Sequence, residues 1–468
     1  MCFIRRALLL AMALCGGFAI PVQHCLAQSE EVRALEAQLS ELRQRYTDNH
    51  PDVINLKKDL ADARAKAGGG ARTPSSSPRT ADDESFDYFS RAGGAPGGAE
   101  PGVGRLTPGL RLHLFTHPGG LHSQAELDLA RKRVAAGGEP QSSAFAALLA
   151  IARKNIGRSP SAPRTFDVPP YYGDPEGHRK ASRPLSRDAQ TAYACAIIYQ
   201  LAPETFRREA LSCADKAVEI LSSWSQINRA VAGSDGPLVM TYAGVGFVLA
   251  AELLSDYSGW VMLHRMQFDT WLSSVYLPAA SAEAPSTNNH GDWGILGKLA
   301  SHHYLGDQRA FVKDIQQLKY KIDVTIAQDG QMPEETGRGR HGIWYTYFAL
   351  APLTAAVEIV YNATGEDLYH YKGRDGAGIS DALAYLYRFI LSPSKWPHFR
   401  DYQALVKPTA RAWPNNLFEA MAGVYGDDRY DTLVQDARPV TVMQHHFAWS
   451  VPTLLRPLPH ESSLKPRD

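Results

Sequence analysis

The sequence lacks an excess of charge of either sign, and beyond its first residues it lacks a long apolar run. Lysine and arginine total 49, and aspartate and glutamate also total 49, among 468 residues. No basic tract or RNA-binding signature is present, which argues against a nucleic-acid partner. No later apolar stretch reaches the roughly 18 to 20 residues that a membrane-spanning helix needs. The mature chain is therefore expected to be globular, with no membrane span.

Cysteine is scarce once the first residues are set aside. Three of the five cysteines are Cys2, Cys15 and Cys25, which leaves Cys195 and Cys213. These two could form a disulfide across two adjacent helices if the compartment is oxidising. Two buried free thiols explain the same pattern equally well, so the sequence leaves this choice open.

The N-terminus has the pattern of a secretory signal peptide over residues 1–27. Arg5 and Arg6 form a short basic region, the apolar run ALLLAMALCGGFAI follows, and small residues lead to a cleavage site near Ala27. These are the three parts of such a peptide. We therefore expect a periplasmic or secreted protein.

Residues 29–66 are polar and helical in pattern, and they predict a coiled-coil segment. Apolar residues alternate at spacings of three and four from Val32 to Leu42, and the pattern resumes after Pro51. Such a thin segment cannot bury a core alone, so it needs a partner helix or a second copy of the chain.

The stretch LRQRYTDNHPDVINLKKDL, residues 42–60, resembles the periplasmic coiled coil of polysaccharide chain-length-determinant proteins, where RYT-x-x-HPDV recurs. The resemblance implies exopolysaccharide machinery as a partner. Residues 67–107 are rich in glycine, proline and serine, a composition typical of a disordered linker. The globular domain is then expected over residues 108–460.

Helical periodicity dominates this globular part. The predicted helices cover residues 124–136, 141–155, 187–202, 204–224, 241–256, 264–279, 292–305, 308–327, 343–364, 378–392 and 413–424. Alternation typical of strands is rare, and VTVMQHHFAW over 440–449 is the best candidate for a strand. A series of antiparallel helices joined by short loops predicts an all-α fold, an incomplete (α/α)n toroid of helical hairpins. Loops at one end of the inner helices are expected to carry the function.

Two polar segments precede helices in this pattern. The first is STNNHGDWGILGKLA (286–300), whose helix is expected to begin at Asp292 after an irregular turn. The second is DGQMPEETGRGRHGIWYTYFALAPL (329–353). Taken alone, each segment is explained as a helix cap. Arg338 and Tyr345 are seven residues apart, about two helical turns, so they could share a face.

Together the two segments resemble the alginate lyase family, whose members carry N-N-H-x-x-W and, further along, an arginine followed seven residues later by a tyrosine. Asn289, His290 and Trp293 supply the first motif here, and Arg338 and Tyr345 supply the second. The flanking DG-x-x-P-x-E and A-L-x-P-L patterns also match. The resemblance implies an (α/α) toroid and a polysaccharide lyase without metal or other cofactor.

The chemistry of β-elimination on a uronic-acid polymer gives the motif residues their roles, and the resemblance implies the same roles. Asn289 and Arg338 would neutralise the sugar carboxylate while its C5 proton is removed. Tyr345 would protonate O4 and, in a syn elimination, also act as base, because a neighbouring arginine favours phenolate. His290 would be the base on the opposite face or a further neutraliser.

Further residues are expected to bind the substrate, an anionic polymer such as alginate or a glucuronate-containing exopolysaccharide. They are Trp293, Glu335, Arg340, His341, Trp344 and Tyr347. Tryptophans stack on sugars, although about half of such residues belong to the core. His341 stands where the family usually has a second arginine, and it supplies charge only at low pH. Asp292 would repel a densely anionic polymer unless it caps the helix, which favours glucuronate-containing substrates.

Two other functions are consistent with the same residues. Glu334 and Glu335 could be the acid–base pair of a glycoside hydrolase, although neighbours in sequence do not face one another across a sugar. A non-catalytic glycan-binding component of an export complex is the second alternative. Tyr347 could replace Tyr345 as the reactive phenol, but it lies roughly 160° further around the helix.

Metal binding is not expected from the histidine pattern. The pairs His302–His303 and His445–His446 are adjacent in sequence, so the two rings of each pair point in different directions. No His-x3-His pair accompanies them. Positions near helix ends or in the core explain these histidines better.

Overall fold

The computed structural model of the chain describes residues 32–33, 36, 39–40, 57, 60, 64, 115–408, 413–441 and 446–460. The chain forms two compact units, Met1–Gly102 and Val103–Asp468. The expected signal peptide over 1–27 and linker over 67–107 lie outside the described residues, so both stay predictions.

The described residues of the first unit are all helical. Leu39 and Leu60 are buried, and the Arg64 guanidinium donates to the Glu36 carboxylate over 2.6 Å. These two charged residues are far apart in sequence, so their bond places two helical stretches side by side. The association of this segment with a partner helix or a second chain stays a prediction.

The second unit consists almost entirely of helices. They are α1 (Gln124–Ala135), α2 (Gln141–Asn155), α3 (Pro175–Leu201), α4 (Arg207–Ile227), α5 (Gly236–Leu253), α6 (Met262–Trp271), α7 (Leu277–Glu283), α8 (Asn289–Tyr304), α9 (Gln308–Thr325), α10 (Pro333–Thr336), α11 (Gly342–Thr364), α12 (Ile379–Leu391), α13 (Asn415–Tyr425) and α14 (Asp428–Val434). Short 3-10 helices cover Glu204–Phe206, Gly339–His341, Pro393–Lys395 and Gln435–Ala437, and Leu272–Tyr276 is a π-helical segment. Strands β1 (Thr165–Asp167) and β2 (Ala230–Ala232) pair in parallel, with Thr165 opposite Ala230.

Four long helices form the inner layer of this unit. Helices α3, α5, α8 and α11 pack against one another in that order. Helices α5 and α11 are buried on nearly every side, as their apolar composition requires. The amphipathic helices α4 and α9 bury one face each and cover the inner layer from outside. This arrangement confirms the predicted all-α class and the incomplete (α/α) toroid.

Two of the described helical stretches are long and apolar enough to cross a membrane by length and composition, Gly236–Leu253 and Gly339–Thr364. In each of them, 89% of the apolar window is buried inside the protein. The core helices of a soluble protein have the same composition. Packing within the toroid therefore accounts for their apolar character.

Helix α3 begins at Pro175, well before its predicted start at residue 187. Asp174 caps this earlier start, because its Oδ1 accepts a hydrogen bond from the Gly177 N–H over 2.8 Å. Proline is well suited to the first turn, where its missing N–H costs no helical hydrogen bond. The helix predicted over 264–279 is likewise divided by the π-helical segment.

The strand prediction over 440–449 falls partly outside the described residues, which omit 442–445. The described residues on either side of that gap are not in a strand. The two strands that do occur, β1 and β2, were not predicted. They have three residues each, too few to show an alternating pattern.

Cys195 on α3 and Cys213 on α4 are both free and buried. Their thiols contact each other through a hydrogen bond, so the two helices are adjacent as the sequence suggested. This contact, together with burial, raises the pKa of the Cys195 thiol. Of the two possibilities, a disulfide or two buried free thiols, the structure contains the free thiols.

Candidate active site

The first predicted motif lies at the start of α8. The helix begins at Asn289 and not at Asp292, because Asn288 is its N-cap. The Asn288 side-chain oxygen accepts a hydrogen bond from the His290 backbone N–H over 3.0 Å. The expected irregular turn is therefore wrong, and Asn289 and His290 are fixed in the first helical turn.

Glu335 on α10 holds Asn289 in place. The Asn289 amide nitrogen donates to the two Glu335 carboxylate oxygens over 3.2 and 3.0 Å, and its backbone N–H donates to Oε1 over 2.5 Å. Glu335 is buried; burial raises its pKa, and the nearby Arg338 opposes that shift. Glu335 thus positions Asn289, which corrects its predicted substrate-binding role. The two oxygens belong to one carboxylate, so a single amide hydrogen can lie between them, and the second hydrogen of the amide is then available to a ligand.

Glu283, the last residue of α7, orients His290. The His290 Nδ1 and a Glu283 carboxylate oxygen are 2.7 Å apart. An ionised carboxylate only accepts hydrogen bonds, so Nδ1 carries the proton and Nε2 of a neutral ring is the acceptor. The His290 side chain is 26% exposed, which lets Nε2 meet a ligand. No sequence pattern points to Glu283, because a turn between two helices separates it from His290.

Arg338 and Tyr345 come together as predicted, although they do not share one helix. Arg338 precedes the 3-10 helix Gly339–His341, and Tyr345 lies in the first turn of α11. The Arg338 guanidinium carbon lies 4.8 Å from the centre of the Tyr345 ring. A buried cation over the face of a phenol is a favourable arrangement. The Tyr345 hydroxyl is also 2.9 Å from the hydroxyl of Tyr172, which is exposed.

The loop between β1 and α3 contacts both Tyr345 and Asp235. Tyr172 on this loop contacts Tyr345, and the Tyr171 backbone N–H donates to the Asp235 carboxylate over 2.8 Å. Burial raises the pKa of Asp235, and the hydrogen bond from Tyr171 opposes that shift. Tyr345 therefore contacts this loop through Tyr172, and His290 lies within electrostatic range of Asp235, which holds the same loop. The sequence did not reveal this loop.

Asp292 neither caps α8 nor faces the cleft. Its side chain is fully buried, 3.5 Å from the Lys321 ammonium of α9. Lys321 also donates to the backbone carbonyls of Ser286 and Asn288, over 2.5 and 2.7 Å. Burial raises the pKa of Asp292 to about 7. Both predicted roles of Asp292 are therefore wrong; with Lys321 it anchors the turn that leads into Asn289.

Three of the predicted substrate-binding residues surround Tyr345. The Trp344 ring is half-buried and stacks on Phe348, with ring centres 4.7 Å apart. Arg340 is exposed and donates to the His341 Nε2 over 3.0 Å. Burial lowers the pKa of His341, and Arg340 lowers it further. His341 is therefore neutral near pH 7 and does not replace the charge of an arginine.

Trp293 and Tyr347 belong to the core. Trp293 is fully buried and packs against Tyr242, Phe348 and His446. The Tyr347 hydroxyl donates to the Asn416 carbonyl oxygen and also contacts His446, each over 3.0 Å. Burial raises the pKa of Tyr347 far above its ordinary value. Sugar stacking by Trp293 and substrate binding or base catalysis by Tyr347 are therefore wrong.

The alternative carboxylate pair does not form. Glu334 is exposed, whereas Glu335 is buried against Asn289, so the two do not face a common space. Within the part of the chain that the structure describes, one group of histidine and acidic residues has metal-ligand spacing, namely His117, Glu252 and His303. His303 lies at the end of α8 opposite to His290, so this group is separate from the cleft.

Known proteins match this chain in sequence and in fold. The family model described as alginate lyase matches residues 138–396. A polysaccharide lyase from Stenotrophomonas maltophilia (strain K279a) is 30% identical over 136 residues. The match covers 28% of this chain and 38% of that protein.

Solved structures share the fold at low sequence identity. An alginate lyase from Bacteroides ovatus superposes with a TM-score of 0.55 at 17% identity, covering 69% of this chain and 96% of that one. Alginate lyase A1-III from Sphingomonas species A1 superposes with a TM-score of 0.57 at 16% identity, covering 79% and 100%. The family model spans more than half of the chain. This chain belongs to the alginate lyase family.

Proposed function

We propose that the protein is a polysaccharide lyase that cleaves a uronic-acid polymer by β-elimination. Two observations support the proposal. Asn289 and His290, adjacent at the start of α8, are each held by a carboxylate. Arg338 lies over the Tyr345 ring and is close enough to Glu335 to affect its pKa. Such a set offers donors for a carboxylate together with an acid and a base. Membership in the alginate lyase family supports the same chemistry.

In the first step, the site neutralises the carboxylate of the reacting sugar. The C5 proton is weakly acidic while that carboxylate is charged, so donors must stabilise the dianion that forms as the proton leaves. The remaining amide hydrogen of Asn289 and the guanidinium of Arg338 are such donors. Because Glu335 and Tyr345 contact these groups, both donors are oriented before the substrate binds.

In the second step, the C5 proton is removed, the C4–O4 bond breaks and a C4–C5 double bond forms. The electron pair of the C5–H bond becomes the new π bond, and O4 leaves with the electrons of the broken bond. His290 takes the proton on Nε2, since Glu283 keeps Nδ1 protonated. Tyr345 protonates O4, and Tyr172 contacts the same hydroxyl. In a syn elimination Tyr345 would perform both transfers.

The substrate we propose is an anionic uronic-acid polysaccharide, alginate or a glucuronate-containing polymer. Asp292 is buried, so it does not repel a densely anionic polymer, and it favours neither glucuronate-containing polymers nor alginate. Alginate lyase A1-III variants that replace one histidine or one tyrosine were solved with a tetrasaccharide. Arg340 and Trp344, exposed and half-buried respectively, are the residues that we expect to contact neighbouring sugars.

The test is incubation of the purified protein with alginate, polymannuronate and glucuronate-containing polymers. A lyase produces an unsaturated uronate that absorbs ultraviolet light, whereas a glycoside hydrolase produces only new reducing ends. A glycan-binding protein produces neither product but binds the polymer. Ultraviolet absorbance that grows in step with the number of reducing ends supports the proposal. New reducing ends without ultraviolet absorbance would show that the protein is a glycoside hydrolase and not a lyase.

We also propose where the protein acts. The signal-peptide pattern over residues 1–27 supports export to the periplasm or the medium. The resemblance of residues 42–60 to chain-length-determinant proteins supports an association with exopolysaccharide machinery. Fractionation of cells that express the full chain tests the first proposal, and co-purification with and without residues 29–66 tests the second.

A further inference from the structure

A second cluster of ionisable side chains lies at the other end of α8, away from the cleft. His117 precedes α1, Glu252 lies in the last turn of α5, and His303 lies in the last turn of α8. The Glu252 Oε1 is 3.3 Å from the His303 Nδ1 and 3.7 Å from the His117 Nδ1. All three atoms lie within 4.8 Å of one another.

The two imidazole nitrogens that face Glu252 are buried, and neither makes a hydrogen bond of acceptable geometry to any residue that the structure describes. Buried polar atoms rarely lack a partner unless an ion or a water serves them. His303 and Glu252 are almost fully buried, while the His117 side chain is 24% exposed. A path from solvent therefore reaches the cluster on the His117 side.

The backbone of the same segment fixes the carboxylate. The N–H groups of Gly119 and Gly120 donate to Glu252 Oε1 over 2.9 and 2.5 Å. A side chain at Gly120 would collide with the carboxylate, since a Cβ there would lie 2.4 Å from Glu252 Oε2. Hydrogen bonds of this kind orient the ligands of metal sites.

We propose that His117, Glu252 and His303 bind one divalent transition-metal ion, for which Zn²⁺ is the best fit. Two imidazole nitrogens and one carboxylate oxygen are a common ligand set for zinc, with water as the fourth ligand. Ligands about 2.0–2.1 Å from a tetrahedral ion lie about 3.3 Å apart. The two histidine–glutamate separations, 3.3 and 3.7 Å, are close to that value, and all three atoms lie within 4.8 Å of one another. Magnesium and calcium prefer oxygen ligands and suit this set poorly.

A proton shared between histidine and glutamate explains the cluster less completely. Imidazoles protonated on Nδ1 could each donate to Glu252, but Oε1 already accepts two backbone hydrogen bonds, and neither Nδ1 atom meets it with acceptable hydrogen-bond geometry, at separations of 3.3 and 3.7 Å. A single metal ion would be coordinated by both nitrogens and by the carboxylate.

The position of the site indicates a structural role. His303 and His290 are thirteen residues apart on one helix, about 20 Å at the rise of an α-helix. The ion would join the segment before α1 to the inner helices α5 and α8 without contacting the reacting sugar. Metal removal should therefore lower the melting temperature of the protein more than it lowers the turnover of a saturated enzyme.

The experiment uses the full chain, stripped with a chelator and then titrated with Zn²⁺. We expect one equivalent to bind, by calorimetry and elemental analysis, and the melting temperature to rise. Co²⁺ in place of Zn²⁺ should give the visible absorption of a tetrahedral site. His117→Ala should weaken binding by about 100-fold and abolish the cobalt spectrum, since one of three ligands is lost. His264→Ala, a half-buried histidine on α6, is the matched control and should bind as the wild type does.

Two results would overturn the proposal. The first is a stripped wild-type protein that gains neither stability from Zn²⁺ nor a tetrahedral Co²⁺ spectrum, which leaves only a histidine–glutamate ion pair. The second is equal affinity in the wild type and in His117→Ala, which places the ion elsewhere. Circular dichroism of His117→Ala in chelator confirms its fold, and His303→Gln provides a second ligand variant.

Discussion

At the scale of single residues, Glu283 determines which ring nitrogen of His290 can accept a proton from the substrate. The 2.7 Å contact keeps the proton on Nδ1, and a glutamine at 283 could instead donate to Nδ1 and move the proton to Nε2. We expect Glu283→Gln to lower kcat by about 100- to 10,000-fold, as when the orienting carboxylate of a catalytic histidine is lost. Measurement of kcat and KM from the formation of unsaturated uronate tests this expectation.

The same variant separates the two roles of His290. If His290 only neutralises the substrate carboxylate, KM rises and kcat stays near that of the wild type. Glu334→Gln is the control, because Glu334 is exposed and adjacent to the site in sequence. Unchanged kcat and KM in Glu283→Gln would contradict both roles of the histidine.

The two tryptophans of the motifs should behave differently. Trp344 is half-buried near Tyr345, so Trp344→Ala should raise KM by about tenfold through the loss of sugar stacking. Trp293 is fully buried, so Trp293→Ala should lower the free energy of unfolding by about 3–5 kcal/mol. Urea unfolding and steady-state kinetics on both variants test this pair. The reverse pattern would show that Trp293 reaches the substrate.

At the scale of elements, the start of α8 contains a buried carboxyl group, Asp292 beside Lys321, whose contribution to stability depends on pH. Burial raises the pKa of Asp292 to about 7, so the folded protein binds this proton more tightly than the unfolded chain does. Its contribution to stability is complete below about pH 4 and is lost as the pH rises through about 7. The free energy of unfolding should therefore depend on pH, and we expect Asp292→Asn to remove about 4 kcal/mol of that dependence.

Urea unfolding of the wild type and of Asp292→Asn at several pH values between 4 and 8 measures that difference. Asp323→Asn on the neighbouring helix α9 is a control, because Asp323 is partly exposed. Parallel pH profiles for the wild type and Asp292→Asn would mean that Lys321 keeps Asp292 ionised throughout.

The elements also show how far the sequence determines the fold and the site. Helices α1, α2 and α9 begin where their periodicity predicts, because that signal is local. Strands β1 and β2 depend on pairing between distant segments, so no local signal marks them. The spacing of Arg338 and Tyr345 predicted their contact, whereas Glu283 and Lys321 act from other helices.

Burial explains the wrong assignments in the site. Along α11 nearly every residue is apolar or aromatic, so the sequence does not show which face meets the cleft. Trp344 and Tyr345 lie near the cleft, while Tyr347 points into the core towards Asn416. The same holds on α8, where His290 is partly exposed and Trp293 is not.

At the scale of the whole molecule, the composition of residues 67–107 predicts that the toroid is an independent domain. We expect limited proteolysis of the full chain to cut first within 67–107 and to leave a stable fragment that begins near residue 108. Mass spectrometry of the fragments identifies the cuts. A first cut inside the described part of the toroid, within 115–408, would contradict this division.

The proposed reaction is β-elimination with Tyr345 as the acid that protonates O4. The most direct measurement follows ultraviolet absorbance while wild-type protein and Tyr345→Phe act on uronic-acid polymers, with polymer binding measured in parallel. We predict absorbance growth with the wild type, and at least a 1,000-fold slower rate, roughly 4 kcal/mol in the barrier, with bound polymer retained in Tyr345→Phe. Equal rates of absorbance growth in the two proteins would contradict the account.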